Sequence, residues 1–269
     1  MISTYLLRFL ETDIRISFSG FYEKPCFFSL SPARDNEIRA DMNIILYRDS
    51  FESAEYINGT NGLSPELERI DGGKYCEIFS VEDRTVKCFF EKSFSIDFIL
   101  NRLINKAFHA FQEYLDVILL HSALVISGGK TFLFVAPSGG GKSTLCAYAL
   151  EKGRTVLSEE MCIVKKKDSA FYARRFPFCV AEYDAEVLQK VGGIFFLNKS
   201  EKNSLSKISV LEAFQRAVPE ATSYRYDYGS RASYRKHVFG FLNMMFENLG
   251  FHLLDFTKSA EFLSCLDPV

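Results

Sequence analysis

The pattern of apolar and polar positions over the first ninety residues predicts a series of short β-strands. Apolar residues alternate with polar ones or form short runs bounded by Gly, Asn and Asp, as is typical of half-buried strands. The predicted strands are Tyr5–Leu10, Ile14–Ser19, Ile44–Tyr47, Tyr75–Ser80 and Thr85–Glu91. Residues 1–94 are therefore interpreted as a β-rich N-terminal lobe.

Residues 95–118 change to the helical period and predict a long bridging helix. Apolar side chains recur there at steps of three and four, which places them on one helical face. The predicted face contains Ile96, Ile99, Leu100, Leu103, Ala107, Ala110, Phe111, Tyr114 and Ile118. Ser95 precedes this face and suits the N-cap position. We expect His121 to lie where this helix ends and the next strand begins.

From residue 119 to residue 269 the pattern alternates strands and helices, which predicts an α/β domain with a mixed sheet. The predicted strands are Ser122–Ile126, Thr131–Ala136, Thr155–Leu157, Cys162–Lys166 and Gly193–Leu197. The predicted helices are Thr144–Lys152, Val210–Ala217 and Tyr234–Leu249. The charged run Lys165–Lys167, with Asp168 and Ser169, indicates a solvated hairpin turn and not a site for a polyanion.

Composition excludes several classes of protein. The 269 residues are 48% hydrophobic and 25% charged, as in an average globular chain, so a disordered or collagen-like protein is excluded. The net charge of −2 gives no general attraction for nucleic acid or anionic membranes. Seven cysteines without a Cys-x-x-Cys pair predict neither a disulfide framework nor a zinc site. Without a signal peptide or an apolar run of about 18 residues, a cytoplasmic location is expected.

The segment that carries chemistry is a glycine-rich loop between a predicted strand and a predicted helix. Gly141-Lys142-Ser143 fits the end of the Walker A pattern, with Ala136 in its first position. Glycines let backbone N–H groups turn towards phosphate oxygens, a lysine reaches the β- and γ-phosphates, and a serine hydroxyl holds Mg²⁺. The alternative is a strand-to-helix turn without a ligand. The candidate nucleotide-binding residues are Pro137, Ser138, Gly139, Gly140, Gly141, Lys142, Ser143 and Thr144.

Three further features near this loop are candidates for function. Glu159 and Glu160 follow the next predicted strand, where one carboxylate could take a proton and the other could bind a metal ion. His121 precedes the strand that enters the loop. The run from Asn198 to Glu201 superficially resembles the guanine-reading Asn-Lys-x-Asp motif of GTPases, but its fourth residue is Glu, so we interpret it as unrelated to base recognition.

Three stretches together resemble the HPr kinase/phosphorylase family and its smaller related branches. They are His121-Ser-Ala-Leu-Val125, Phe134-Val-Ala-Pro-Ser-Gly-Gly-Gly-Lys-Ser-Thr144 and Val156-Leu-Ser-Glu-Glu160. The resemblance implies the phosphoenolpyruvate carboxykinase-like P-loop fold, with ATP and Mg²⁺ bound and with Gly250–Phe256 as the closing strand. It also implies that Glu159 acts as the base, that Glu160 with Ser143 holds the metal ion, and that His121 and Lys142 assist catalysis. The family has Asp-Asp where this chain has Glu-Glu.

The function expected from these features is ATP-dependent phosphorylation of a serine on a peptide or protein. No segment matches the part of the family that recognises HPr, and the branches that tailor peptides, such as lasso peptides, offer the better substrate class. A kinase of a free small molecule such as serine, or a nucleotide-binding partner subunit without catalysis, are the alternatives. The sequence leaves homo-oligomerisation open.

One cationic segment is a candidate for phosphate or substrate contact. Residues 224–237 mix arginines with tyrosines and contain Arg231 and Arg235, which would share a face on a helical turn. We expect this segment to be a mobile loop that orders over the active site, because phosphoryl transfer needs positive charge near the transferred group.

Overall fold

The computed structural model describes residues 2–9, 12–19, 21, 31–32, 40–49, 68–70, 73–80, 83–176, 188–222 and 232–265. These residues form a mixed α/β protein with two sheets and four α-helices. The chain divides into two compact units, Met1–Phe111 and Gln112–Val269. The division falls inside the predicted bridging helix.

The first unit contains a seven-stranded sheet in the order β3-β1-β2-β4-β7-β6-β5. The parallel pairs β2–β4 and β4–β7 form its centre, and the other pairs are antiparallel. All five strands predicted in this region are confirmed, and β3 and β5 are additional short strands. The strands are β1 Ile2–Phe9, β2 Thr12–Ser19, β3 Ser31–Pro32, β4 Met42–Arg48, β5 Glu68–Ile70, β6 Gly73–Ser80 and β7 Thr85–Phe90.

The predicted long helix is present as α1, Ile96–Leu115, and it ends earlier than the apolar period suggests. The Ser95 hydroxyl accepts a hydrogen bond from the N–H of Phe98 at 3.3 Å, which confirms the N-cap. Asp116 then adopts a left-handed backbone with φ 50°, and the helix stops before it. As a result Ile118 lies in a strand and Tyr114 is 51% exposed, so neither belongs to the buried helical face.

The second unit contains a nine-stranded sheet whose main path is β11-β9-β10-β14-β13-β12-β8, with β16 between β14 and β15. Its strands are β8 Val117–Leu120, β9 Ser122–Ser127, β10 Lys130–Val135, β11 Thr155–Ser158, β12 Cys162–Lys167, β13 Ala170–Arg175, β14 Gln189–Lys199, β15 Ser204–Lys207 and β16 Gly250–Phe256. Its helices are α2 Lys142–Glu151, α3 Val210–Thr222 and α4 Ala232–Asn248, followed by a 3-10 helix at Ala260–Cys265.

Helices cover both faces of the central strands in this unit. Alternate residues of β10 point to opposite sides: Phe132 and Phe134 pack with α2, whereas Leu133 and Val135 pack with α3 and α4. A strand that is buried on both faces reads as a continuous apolar run, which is why β10 and β14 are evident from the sequence. The sheet therefore holds the loop after β10 on a rigid base.

Some of the observed elements of this unit differ from the predicted ones. The strands β8, β13 and β15 are not predicted, because β8 and β15 have only four residues each and β13 ends in two arginines. The helix predicted to end at Ala217 continues as α3 through Pro219 to Thr222. This continuation buries Glu220 and Ala221, and that packing outweighs the poor helical propensity of proline.

Candidate functional site

The sheet topology brings several chain ends to one edge. Strands β10, β14 and β16 are parallel, so their carboxyl ends at Val135, Lys199 and Phe256 lie together. Strand β9 is antiparallel to β10, and its first residue, Ser122, pairs with Val135. Strand β11 is antiparallel to β9 and therefore ends at the same edge. The predicted site residues before β9 and after β10 and β11 consequently meet, as is usual for ligand sites in α/β sheets.

The glycine-rich loop has a backbone that other residues would strain. Gly141 has φ 104°, and a Cβ atom added there would lie 2.3 Å from Cζ of Phe256 in β16. It is also the N-cap residue of α2, where no side chain caps the helix. The first amide groups of α2 therefore have no side-chain acceptor, and they are available to an anion.

Ala136 replaces the first glycine of the Walker A pattern without a conformational cost. Among the described residues, left-handed backbone at non-glycine positions occurs only at Asp49, Arg84, Asp116 and Asp168. Ala136 is thus in a region of backbone space that alanine tolerates.

The ammonium of Lys142 is held by the loop itself. Its Nζ donates hydrogen bonds to the carbonyl oxygens of Ala136 at 2.6 Å and Pro137 at 3.2 Å, and the residue is only 6% exposed. Burial lowers the pKa of Lys142, and the negative charges of Glu220 and Glu160 partly oppose that effect. The buried cation is a ready partner for phosphate oxygens, because the two groups that accept its hydrogen bonds are neutral carbonyls.

His121 forms a part-buried pair with a carboxylate that was not expected from the sequence. It lies between β8 and β9, not at the end of α1 as predicted. Its Nδ1 is 2.6 Å from Oε2 of Glu220 in α3, and its backbone N–H donates to the carbonyl oxygen of Glu220 at 3.0 Å. Glu220 is 6% exposed and shares the buried face of α3 with alanines. A carboxylate on an otherwise apolar helical face is the signal that could have identified it.

Glu159 and Glu160 follow β11 as predicted, and both are exposed. Neither side chain hydrogen-bonds to any other part of the chain that the structure describes. Glu160 acts electrostatically on Lys142, which indicates that it faces the loop. The two carboxylates therefore remain free to meet a ligand.

A cleft of about 330 Å³ connects these groups. It is lined by His121, Ser138, Gly139, Gly141, Lys142, Ser143, Thr144, Glu159, Glu160 and Lys199. Lys199 is a cleft residue that the sequence analysis did not select. Its neighbour Asn198 donates a hydrogen bond to Oδ1 of Asp255 at 2.6 Å, so its amide is already engaged within the protein.

The oxygen donors of the cleft suit a hard cation. The hydroxyl of Ser143 and the carboxylate of Glu160 line the same space. Within the described ranges, no group of three or more His, Cys, Asp or Glu side chains could hold a metal ion alone. Mg²⁺ commonly binds through one or two protein oxygens together with substrate phosphates, so this donor set fits a magnesium ion that arrives with a nucleotide.

The predicted cationic segment, residues 224–237, lies only partly within the described residues. Arg231 and residues 224–230 lie outside the described residues. Residues 232–237 form the beginning of α4 instead of a loop, with Tyr234 buried and its hydroxyl 3.4 Å from the carbonyl oxygen of Ala221. Arg235 is exposed on this helix and is not among the residues that line the cleft.

Comparison with known proteins identifies the family of the chain. A family model described as SynChlorMet cassette protein ScmC matches residues 86–269, and the chain belongs to this family. No curated protein matches the chain. None of the helices in the described ranges is long and apolar enough to cross a membrane.

Solved structures offer a distant likeness. The HPr(Ser) kinase/phosphatase from Coxiella burnetii matches with 12% sequence identity and a TM-score of 0.27. The match covers 34% of this chain and 77% of that chain. A likeness at this level establishes no shared activity.

Proposed function

We propose that this member of the ScmC family is an ATP-dependent kinase that phosphorylates a serine hydroxyl on a peptide or protein. The observation that carries the proposal is the cleft itself, in which a Walker A-type loop with a buried lysine faces a histidine and two exposed carboxylates. A phosphate-binding loop alone is compatible with simple nucleotide binding. The acid and base candidates on the opposite wall are what favour chemistry on a hydroxyl group.

The residues of the cleft divide into groups with different tasks. The loop amides and Lys142 would bind the β- and γ-phosphates and stabilise the charge that develops on the transferred group. Ser143 and Glu160 would hold Mg²⁺, which when bound neutralises phosphate charge and orients the phosphates. His121 and Glu159 are the candidates that take the hydroxyl proton.

The acceptor is proposed from the shape of the cleft and the nature of the family. The cleft is open at the sheet edge, so a side chain that projects from a larger substrate can enter it. A cassette protein is expected to act together with other products of its cassette, and we propose that a peptide or protein among them carries the serine. We further propose the phosphoenolpyruvate carboxykinase-like fold for residues 119–269 and a cytoplasmic location.

The first test is nucleotide binding. Lys142→Ala should weaken Mg–ATP binding at least about tenfold, because a charged hydrogen bond contributes roughly 1.5–3 kcal/mol. Lys152→Ala is the matched control, since Lys152 is exposed at the other end of α2. Calorimetry should show wild-type affinity for the control. Equal affinity in both variants would exclude the loop as the phosphate site.

The second test is phosphoryl transfer. Serine-containing peptides from the cassette, and free serine as the competing acceptor, are incubated with Mg²⁺ and γ-labelled ATP and analysed by mass spectrometry. We expect label on a peptide serine. Label on free serine alone would support a small-molecule kinase. ATP binding without transfer or hydrolysis would support a partner subunit without catalysis.

A further inference from the structure

The groups that face the cleft differ in how firmly they are held. Glu159 and Glu160 are exposed, and they hydrogen-bond to none of the described residues. The ring of His121 is instead fixed by Glu220, through both the 2.6 Å contact of Nδ1 and the backbone hydrogen bond between the same two residues. A base that removes a proton in one defined direction needs such fixation.

The contact with Glu220 also determines which ring nitrogen is available. A carboxylate can only accept hydrogen bonds, so the proton of the neutral ring lies on Nδ1 and the lone pair lies on Nε2. Nε2 makes no hydrogen bond to any described residue and is not enclosed by the protein. His121 lines the cleft. The free nitrogen is therefore accessible to a ligand.

We propose that His121, oriented by the buried carboxylate of Glu220, accepts the proton of the acceptor hydroxyl in place of Glu159. Glu220 is then a positioning residue that acts through His121. This inference rests on the proposed kinase function and assigns the base within it. Glu159 remains a solvated carboxylate at the mouth of the cleft.

The proposed step transfers the γ-phosphoryl group of ATP to the acceptor oxygen. The acceptor oxygen forms a bond to the γ-phosphorus of ATP while its proton passes to Nε2 of His121. The bond between that phosphorus and the β,γ-bridging oxygen breaks, and its electron pair leaves with ADP. The resulting imidazolium lies beside the Glu220 carboxylate, which stabilises the new charge. The proton is then released to solvent through the open cleft.

Charged side chains from several elements surround His121 and Glu220. Glu220 extends from α3, Lys142 from α2 and Lys199 from the end of β14, and Glu159 and Glu160 follow β11. Glu220 and Lys142 influence each other electrostatically. A change at Glu220 can therefore affect nucleotide binding as well as proton transfer, and the two effects have to be measured separately.

The direct test is the tautomer of His121 in the full-length protein. Long-range ¹⁵N–¹H NMR spectra distinguish the two ring nitrogens of each of the four histidines, and His121→Gln assigns the signal. We expect the Nδ1–H tautomer in the wild-type protein and loss of that preference in Glu220→Gln. An Nε2–H tautomer in the wild type, or an unchanged tautomer in the variant, would overturn the proposal.

The kinetic test uses Mg–ATP with water as the acceptor and follows ADP release. We expect Glu220→Gln to lower kcat by about 10²–10⁴-fold. The KM for ATP should stay within about threefold of the wild-type value, because the glycine-rich loop is unchanged. Glu220→Asp, which keeps the carboxylate, should restore part of the rate.

Matched variants separate this proposal from its competitors. His237→Gln removes a histidine outside the cleft, whose Nε2 lies 2.8 Å from the carbonyl oxygen of Val117, and should leave the rate unchanged. A large loss in Glu159→Gln with full activity in a folded Glu220→Gln would overturn the inference and leave the kinase function standing. A folded wild-type protein without ADP release or transfer to any peptide would contradict the proposed function itself.

Discussion

At the scale of single residues, Gly141 is the position of the glycine-rich loop that is least able to accept a side chain. Its left-handed backbone disfavours any side chain, and the ring of Phe256 occupies the space where a Cβ atom would lie. Both constraints act at the point where the loop becomes α2. The path of the amide groups towards the cleft therefore depends on this glycine.

We predict that Gly141→Ala abolishes measurable Mg–ATP binding and destabilises the protein by about 2–4 kcal/mol, the combined effect of backbone strain and a steric clash. Gly153→Ala is the matched control. Gly153 also has positive φ, at 71°, but nothing lies within 4 Å of its added Cβ. The control should lose about 1–2 kcal/mol and keep its ATP affinity. Urea unfolding and calorimetry measure the two effects.

At the scale of elements, Asp255 joins three strands beside the cleft. Its Oδ1 accepts a hydrogen bond from Asn198 of β14 at 2.6 Å, and its Oδ2 accepts one from Ser204 of β15 at 2.9 Å. These contacts fix the carboxyl ends of β14 and β16, from which Lys199 reaches the cleft. Asn198, which begins the run that superficially resembles the guanine-reading motif of GTPases, thus helps to hold these strands together.

This arrangement predicts the effect of removing the Asn198 amide. Asn198→Ala should change the ratio of ATP to GTP affinity by less than about twofold, because the amide is bound to Asp255 and not presented to a base. Its exposed hydrogen bond should contribute no more than about 1 kcal/mol to stability. Competition binding with both nucleotides measures the ratio. A large shift towards one nucleotide in the variant would show that Asn198 reads the base.

At the scale of the whole molecule, the first unit contains a histidine that folding keeps neutral. His109 lies on the buried side of α1, and burial lowers its pKa from 6.5 to about 3. In the unfolded chain this histidine takes up a proton below about pH 6.5, whereas in the folded chain it does not. Its contribution therefore favours folding at neutral pH and is lost progressively as the pH falls from 6.5 towards 3.

We predict that the free energy of unfolding falls by about 2 kcal/mol between pH 7 and pH 5 because of His109 alone. In His109→Leu this part of the pH dependence should disappear, so the difference in stability between the variant and the wild type should change by that amount. Urea unfolding at the two pH values measures it. A constant difference would mean that His109 has the same protonation behaviour in the folded and unfolded chains.

The sequence by itself determined those features that depend on neighbouring residues in the chain. The five N-terminal strands, the N-cap at Ser95 and the strand-loop-helix unit at Lys142 follow from local periodicity and from the turn preferences of glycine. Glu159 and Glu160 were also identified from the sequence, because they directly follow a strand next to the loop. Their catalytic and metal-binding roles remain predictions.

Only the tertiary structure decided which distant residues complete the cleft. Glu220 lies 99 positions from His121 in the sequence, and Lys199 lies 57 positions from Lys142, so neither pairing leaves a local pattern. The left-handed backbone of Asp116 ends the helix, so the last apolar residues of the predicted helical face lie in strand β8. The apolar periodicity continues past Asp116 and does not mark this boundary. The physical reason is that sheet register and helix packing, which bring these groups together, are satisfied by contacts across the whole unit.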